Sequence, residues 1–243
     1  MFAPEPPPTL VHRRVLALVG PYGSGKTELA LALAAAAAAR GDRALVADLD
    51  VIKPYFRSRE ATLRSAAAGV TTLAPPGALA FADLPIVPAD LRAALRDLDR
   101  TVIIDVGGDV AGARVLGSVA DALPAESSEV WFVVNRHRPF VQTVARAVTL
   151  ARAIAAATGM ALSGVVANGH LLDYTTAGIV LDGLEFSRAV AAEVGVPIVA
   201  LMAPAELAHE LVGAPDLPPL VPVVRAMALQ SLGGVVNAHG GCA

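Results

Sequence analysis

"LALVGPYGSGKTELALALAAAAAAR", residues Leu16 to Arg40, decides how the rest of the chain is read. An apolar run breaks into a glycine-rich turn, a Lys-Thr pair follows, and an alanine-packed stretch continues from it. Gly20-Pro21-Tyr22-Gly23-Ser24-Gly25-Lys26-Thr27 fits G-x-x-x-x-G-K-[ST], in the strand-to-helix context that gives the pattern its meaning. Glycines let the backbone wrap closely enough for successive N–H groups to face phosphate oxygens. The helix N-terminus adds partial positive charge, Lys26 spans the β- and γ-phosphates, and Thr27 offers a hydroxyl to Mg²⁺. The competing reading is a tight turn that matches by accident. Only two lysines occur in 243 residues, and one of them stands here. A nucleotide cradle made of Gly20, Tyr22, Gly23, Ser24, Gly25, Lys26, Thr27 and Glu28 is the expectation. The alanines from Ala32 to Ala39 need no ligand, because small helix formers pack closely on a sheet.

Working outward, apolar β-runs alternate with longer helical patterns. Strands are expected at Val15–Val19, Ala44–Ala47, Val70–Leu73, Val102–Ile104, Val130–Val134, Leu162–Ala167 and Ile198–Leu201. Helices are expected near Thr27–Arg40, Arg59–Ala68, Ala89–Leu98, Phe140–Ala157 and Thr176–Val194. The strands are continuously apolar, as in a parallel sheet covered on both faces. The fold class that follows is α/β: a doubly wound, mostly parallel sheet with helices on both faces. Pro75–Pro88 and Pro215–Pro222 read as loops too short to separate a second domain. The expected organisation is a disordered Pro-rich leader over residues 1–10, one nucleotide-binding domain over 11–232 and a flexible tail over 233–243.

Two further stretches complete a nucleotide site. In "TVIIDVGGD", Asp105 ends an apolar strand, where the strands of a parallel sheet meet the ligand crevice. There Asp105 can hold the Mg²⁺ shell and the Gly108 N–H can approach a γ-phosphate. An Asp that merely caps the next turn is the alternative. In "ALVADLDVIKPYFRSRE", Asp48 and Asp50 leave the end of the second strand, where a carboxylate orients an attacking water or binds metal through water. A solvated acidic loop is the other reading of that stretch.

Together these motifs resemble the MinD/ParA/CobQ branch of the P-loop ATPases, of SIMIBI type, over most of the chain. Within it, "DLDVIKPYFRSRE", "DVGGDVAGARVLG", "VVNRHRPF" and "VVANGHLLDYTT" are similar to a group of bacterial ATP-binding proteins. The resemblance implies Asp50 as the water-orienting residue, Asp48 as a partner of the magnesium shell and Asn168 beside the base. An Asn closing a strand turn with Gly169 is the plainer reading of Asn168. The chain departs from the branch at two places. Pro21 stands where MinD and ParA proteins carry a lysine that reaches the partner subunit's nucleotide, so a sandwich homodimer loses its signature contact. Lys53 stands where the bacterial group tends to have Asn, and an exposed loop lysine competes there with a phosphate-facing one.

Several function classes are disfavoured. A formal charge of -3 gives no general attraction to nucleic acid or anionic lipid. Arg136, His137 and Arg138 offer a small basic patch, but such a loop is ordinarily a solvated turn. No uncharged stretch reads as a membrane span and no basic, then apolar, signal opens the sequence, so a cytoplasmic location is expected. Cys242 is the single cysteine and forms no internal disulfide. A guanine-reading Asn-Lys-x-Asp is not met by Asn135–Arg138, since Arg138 cannot accept from guanine. ATP with Mg²⁺ is therefore the expected ligand, in a slow ATPase acting as a nucleotide-controlled switch on a protein partner. The alternatives are a synthetase that phosphorylates a small carboxylate substrate and a binding module with negligible turnover.

Overall fold

A computed structural model describes residues 13–50, 65–73 and 89–224 of the chain. In chain order they form β1 (Val15–Val19), α1 (Lys26–Ala39), β2 (Arg43–Leu49), β3 (Thr71–Leu73), α2 (Ala89–Arg96), β4 (Arg100–Val106) and α3 (Val110–Gly117). There follow β5 (Ser128–Val134), α4 (Val144–Thr158), β6 (Gly164–Asn168), α5 (Ala177–Val194), β7 (Ile198–Pro204), α6 (Ala208–Leu211) and β8 (Leu220–Val223). The eight strands make one sheet in the order β3-β2-β4-β1-β5-β6-β7-β8. Every pairing is parallel. The α/β class read from the sequence is therefore the observed one.

Burial explains why the central strands are apolar without interruption. Successive side chains of a strand point to opposite faces. Val15, Ala17 and Val19 of β1 join a core with residues of α2, α3, α4 and α5, including Leu95, Leu116, Ile154 and Val190. Leu16 and Leu18 join the other core, with Leu29, Leu33 and Ala37 of α1. Both faces are thus dry, and a polar residue at either set of positions would lose the roughly 1.5–3 kcal/mol that a buried aliphatic side chain contributes. A third cluster around Leu184, Leu201 and Leu211 closes the β7 side.

The expected strands all occur, with moved ends. The second runs from Arg43 to Leu49 because its ladder with β4 continues through Asp48↔Asp105 and Leu49↔Val106. The third begins at Thr71 and the sixth at Gly164, each slightly later than its apolar run suggests. The helix expected from Phe140 begins instead at Val144, because the Thr143 hydroxyl accepts from the Arg146 N–H and caps the first turn. Two elements correct the sequence reading. The segment Pro215–Pro222, read as a loop, contains the start of β8, an edge strand where Pro222 is tolerated because only β7 pairs with it. The short α3, with Asp109 as its N-cap, was not anticipated. The leader, the tail, Lys53, the Pro75–Pro88 loop, most of Arg59–Ala68 and most of the segment after Val223 lie outside the described residues. Among the described residues, no helix is long and apolar enough to cross a membrane.

Because all strands are parallel, their C-terminal ends lie along one edge of the sheet. That edge receives the loop after β1, Asp48 and Asp50 from β2, Asp105 from β4, Asn135 and Arg138 after β5, and Asn168 from β6.

Candidate functional site

The glycine-rich loop is built as its sequence requires. Gly25, the N-cap of α1, has φ 97°, a left-handed conformation that side chains rarely adopt. A Cβ there would also fall 2.5 Å from the Asn168 amide nitrogen. The Lys26 ammonium, almost fully buried, donates to the Gly20 and Pro21 carbonyls at 2.9 and 3.0 Å, so its stem folds back over the loop. Burial pushes its pKa down, while the charges of Asp105, Asp50 and Asp109 act in the opposite sense. The first N–H groups of α1 have no acceptors within the helix and carry its positive dipole end. Ser24 is fully buried, and among the described residues its hydroxyl has no hydrogen-bond partner. Glu28 lies in the first turn of α1.

On the β4 side of β1, the Thr27 hydroxyl donates to Asp105 Oδ2 at 2.5 Å. Asp105 is buried, which pushes its carboxyl up to about 6 despite the opposing effects of Lys26 and Thr27. Asp48 is level with Asp105 in the β2–β4 register and equally buried, and it accepts from the Asp50 N–H at 2.9 Å. Asp50 is partly exposed and sits over Gly107, its Cα 3.8 Å from where a Cβ of that glycine would lie. Gly108 touches the loop directly: a Cβ there would fall 2.6 Å from the Tyr22 ring and 2.7 Å from the Tyr22 nitrogen. The Tyr22 hydroxyl is pushed up to about 12, first by burial and then by Asp109 and Asp50, and it hydrogen-bonds Asp109. Asp109 also accepts from the Gly112 N–H at 2.7 Å, so one carboxylate ties Tyr22 to the start of α3.

On the β5 and β6 side, Asn168 donates to the Ser24 carbonyl at 2.7 Å and accepts from the His170 N–H at 2.9 Å. Its amide nitrogen therefore holds the loop, and its oxygen holds the turn that follows β6. Asn135, fully buried, accepts from the His137 N–H and donates to the His170 carbonyl, both at 2.9 Å. The basic tripeptide splits up. Arg136 lies over the Phe186 ring at 5.6 Å, His137 is pushed down by burial and its arginine neighbours, and Arg138 packs against Gly23.

The sequence-predicted residues thus converge on one edge, with Lys26, Thr27 and Asp105 in a connected group and Asp48 and Asp50 beside it. The tether roles of Asn135, Asp109 and Tyr22 were not foreseen; for Asn135 the run of polar residues closing β5 was the only signal. The donors here, a hydroxyl and carboxylates, are all oxygen and suit Mg²⁺. Among the described residues, no group of three or more His, Cys, Asp or Glu side chains forms a metal cage by itself.

No family model and no curated protein matches the chain. Its fold is similar to that of cell division protein FtsY from Thermotoga maritima, at TM-score 0.54 and 22% identity over 81% of this chain and 61% of that one. It is also similar to the signal recognition particle 54 kDa protein from Aeropyrum pernix, solved in complex with GDP, at TM-score 0.53 and 21% identity over 82% and 42%. Chloroplast FtsY from Physcomitrella patens matches at TM-score 0.52 and 20% identity over 76% and 56%. The chain spans 42% to 61% of the length of these proteins. The shared feature is the P-loop NTPase fold.

Proposed function

We propose that the chain binds a nucleoside triphosphate with Mg²⁺ on the loop after β1 and hydrolyses it slowly, as a switch that acts on another molecule. The observation that carries the reading is the connected group Lys26–loop carbonyls and Thr27–Asp105 at the N-terminus of α1. A buried ammonium bonded only to carbonyls sits beside the dipole end of a helix, and phosphate is the ligand whose charge suits both. In this reading the loop N–H groups and Lys26 hold the phosphates, and Thr27 and Asp105 hold the Mg²⁺ shell. Bound Mg²⁺ neutralises charge on the phosphates. Asp50, partly exposed above Gly107, orients the attacking water, and Asp48 holds the Asp50 backbone in place. Gly108, pressed against Tyr22, is where the presence of a γ-phosphate would be felt: any shift of the loop moves Tyr22, Asp109 and the start of α3 together. This linkage favours a switch over a synthetase or a passive module.

ATP is the proposed nucleotide. The residue three places after Asn135 is Arg138, and three after Asn168 is Leu171, so neither strand end offers a carboxylate to the guanine edge. A guanine nucleotide is the second reading, favoured by the GDP found in the A. pernix protein. Phosphate release from ATP and from GTP, each with Mg²⁺, tests both. Slow release from ATP, with GTP a weak competitor, is the expected result. Release from neither would overturn the hydrolase reading, and preference for GTP would reverse the base assignment.

A further inference from the structure

Lys26 is the only cation within the phosphate loop, yet a second cation is built against it from another strand. β5 ends at Val134, and the turn that follows is fixed by Asn135. Its carbonyl accepts from the Arg138 N–H at 3.1 Å, and its side chain binds the His137 N–H and the His170 carbonyl. This turn lays the Arg138 side chain along Gly23. The position a Cβ of Gly23 would occupy is 3.4 Å from both Cδ and Nε of Arg138 and 3.7 Å from Cζ. The guanidinium thus lies within van der Waals reach of the middle of the loop.

One donor of this half-buried cation is left unused where it lies. Arg138 Nε is buried without a hydrogen-bond partner. Among the described residues no carboxylate pairs with Arg138, and burial alone pushes its pKa down. That one Nε–H has lost water without gaining an acceptor, a cost that an anion bonded there would offset. Its direction of approach identifies which part of a ligand that is. Thr27, Asp105, Asp50 and Gly108, the groups for Mg²⁺ and a terminal phosphate, all lie toward β4 and β2. Arg138 comes from β5, on the opposite flank of β1.

We propose that Arg138 is a diphosphate-binding residue supplied by the same chain, contacting the phosphates shared by di- and triphosphate nucleotides rather than the γ-phosphate. The inference rests on the nucleotide reading above and deepens it. Planar, multi-donor guanidinium suits two adjacent phosphate groups better than an ammonium does.

The test compares Arg138→Gln and Arg138→Lys with the parent by calorimetric titration of ADP, ATP and inorganic pyrophosphate, with thermal unfolding as a check of the fold. Arg138→Gln should weaken all three by about tenfold or more, the scale of one charge-assisted hydrogen bond. The ratio of ATP to ADP affinity should stay at the parent value, and Arg138→Lys should recover part of the loss. Parent-like binding by a folded Arg138→Gln overturns the proposal. So does a loss confined to ATP, or a Lys variant as weak as the Gln variant, since packing rather than charge would then matter. Pyrophosphate has no base, so the result does not depend on the choice between ATP and GTP. If the parent binds none of the three, the nucleotide reading itself falls, which is a separate outcome.

Discussion

At the scale of single residues, the proposed function gives Lys26, Asp105 and Asp50 separable roles. Lys26→Ala should remove detectable Mg²⁺-ATP binding while leaving the sheet folded, because the ammonium is the cation that offsets phosphate charge deepest in the loop. Calorimetry on the folded variant checks this; near-parental affinity would sink the assignment. Asp105 makes a prediction about pH. Its folded value of about 6 lies above its ordinary 3.8. Proton binding therefore favours the fold, and this contribution is full below about pH 4 and is lost as pH rises through about 6. Two units correspond to about 3 kcal/mol. Asp105→Asn cannot titrate, so in urea unfolding without nucleotide it should be the more stable protein at pH 8, with the gap closing toward pH 4. A gap that does not vary with pH would show that the buried carboxylate is not strained by its charge. Asp50→Ala should lower turnover by more than about tenfold with little change in Mg²⁺-ATP affinity, the usual scale for losing a positioned acid–base group. Single-turnover hydrolysis at the parent rate would move the water-orienting role to Asp48 or away from protein carboxylates. These three side chains were legible in the sequence, because Lys26 closes a glycine-rich turn and Asp105 and Asp50 stand where apolar runs end. Their local pattern is their placement.

At the scale of elements, the phosphate loop is held from both flanks. From β6, Asn168 binds the Ser24 carbonyl; from the β4–α3 connection, Gly108 packs on Tyr22 and Asp109 binds it. Asn168→Ala leaves the buried Ser24 carbonyl without its partner, a cost of about 1–3 kcal/mol. The variant should bind ATP and GTP more weakly by a similar factor, since the loop loses its shape. If Asn168 instead read the base, the ratio of the two affinities would change, and competition against one labelled analogue distinguishes the cases. The sequence could not separate these roles. An Asn at a strand end is compatible with a turn, a base contact or a tether, and only the neighbour that β6 brings up decides. The same holds for β8. Its four residues, interrupted by Pro222, carry no strand signal of their own, and they form a strand because β7 offers an open edge. The missed α3 is eight residues long, with Gly112 in its first turn and Gly117 at its end, too short for a helical period to register.

At the scale of the whole molecule, the ligand would bridge connections from β1, β2 and β4, so binding should stabilise the sheet as a unit. Mg²⁺-ATP at about a hundred times its dissociation constant should add about 2.7 kcal/mol. For a domain of this size that raises the melting temperature by about 5–10 °C. Scanning calorimetry over a series of ATP concentrations checks it, and a melting temperature unmoved by saturating ATP would contradict the proposed site. The sequence by itself determined the α/β class, seven of the eight strands and the loop from Gly20 to Thr27. It could do so because apolar runs, a glycine-rich turn and a Lys-Thr pair are local patterns whose physical cause lies within a few residues. Only the tertiary structure decided that Asn168 braces Ser24, that Tyr22 rests on Gly108, and that Arg138 parts from Arg136 and His137 to lie along Gly23. Those contacts join residues up to 144 positions apart, and their partners become neighbours only when parallel strands bring their ends to one edge.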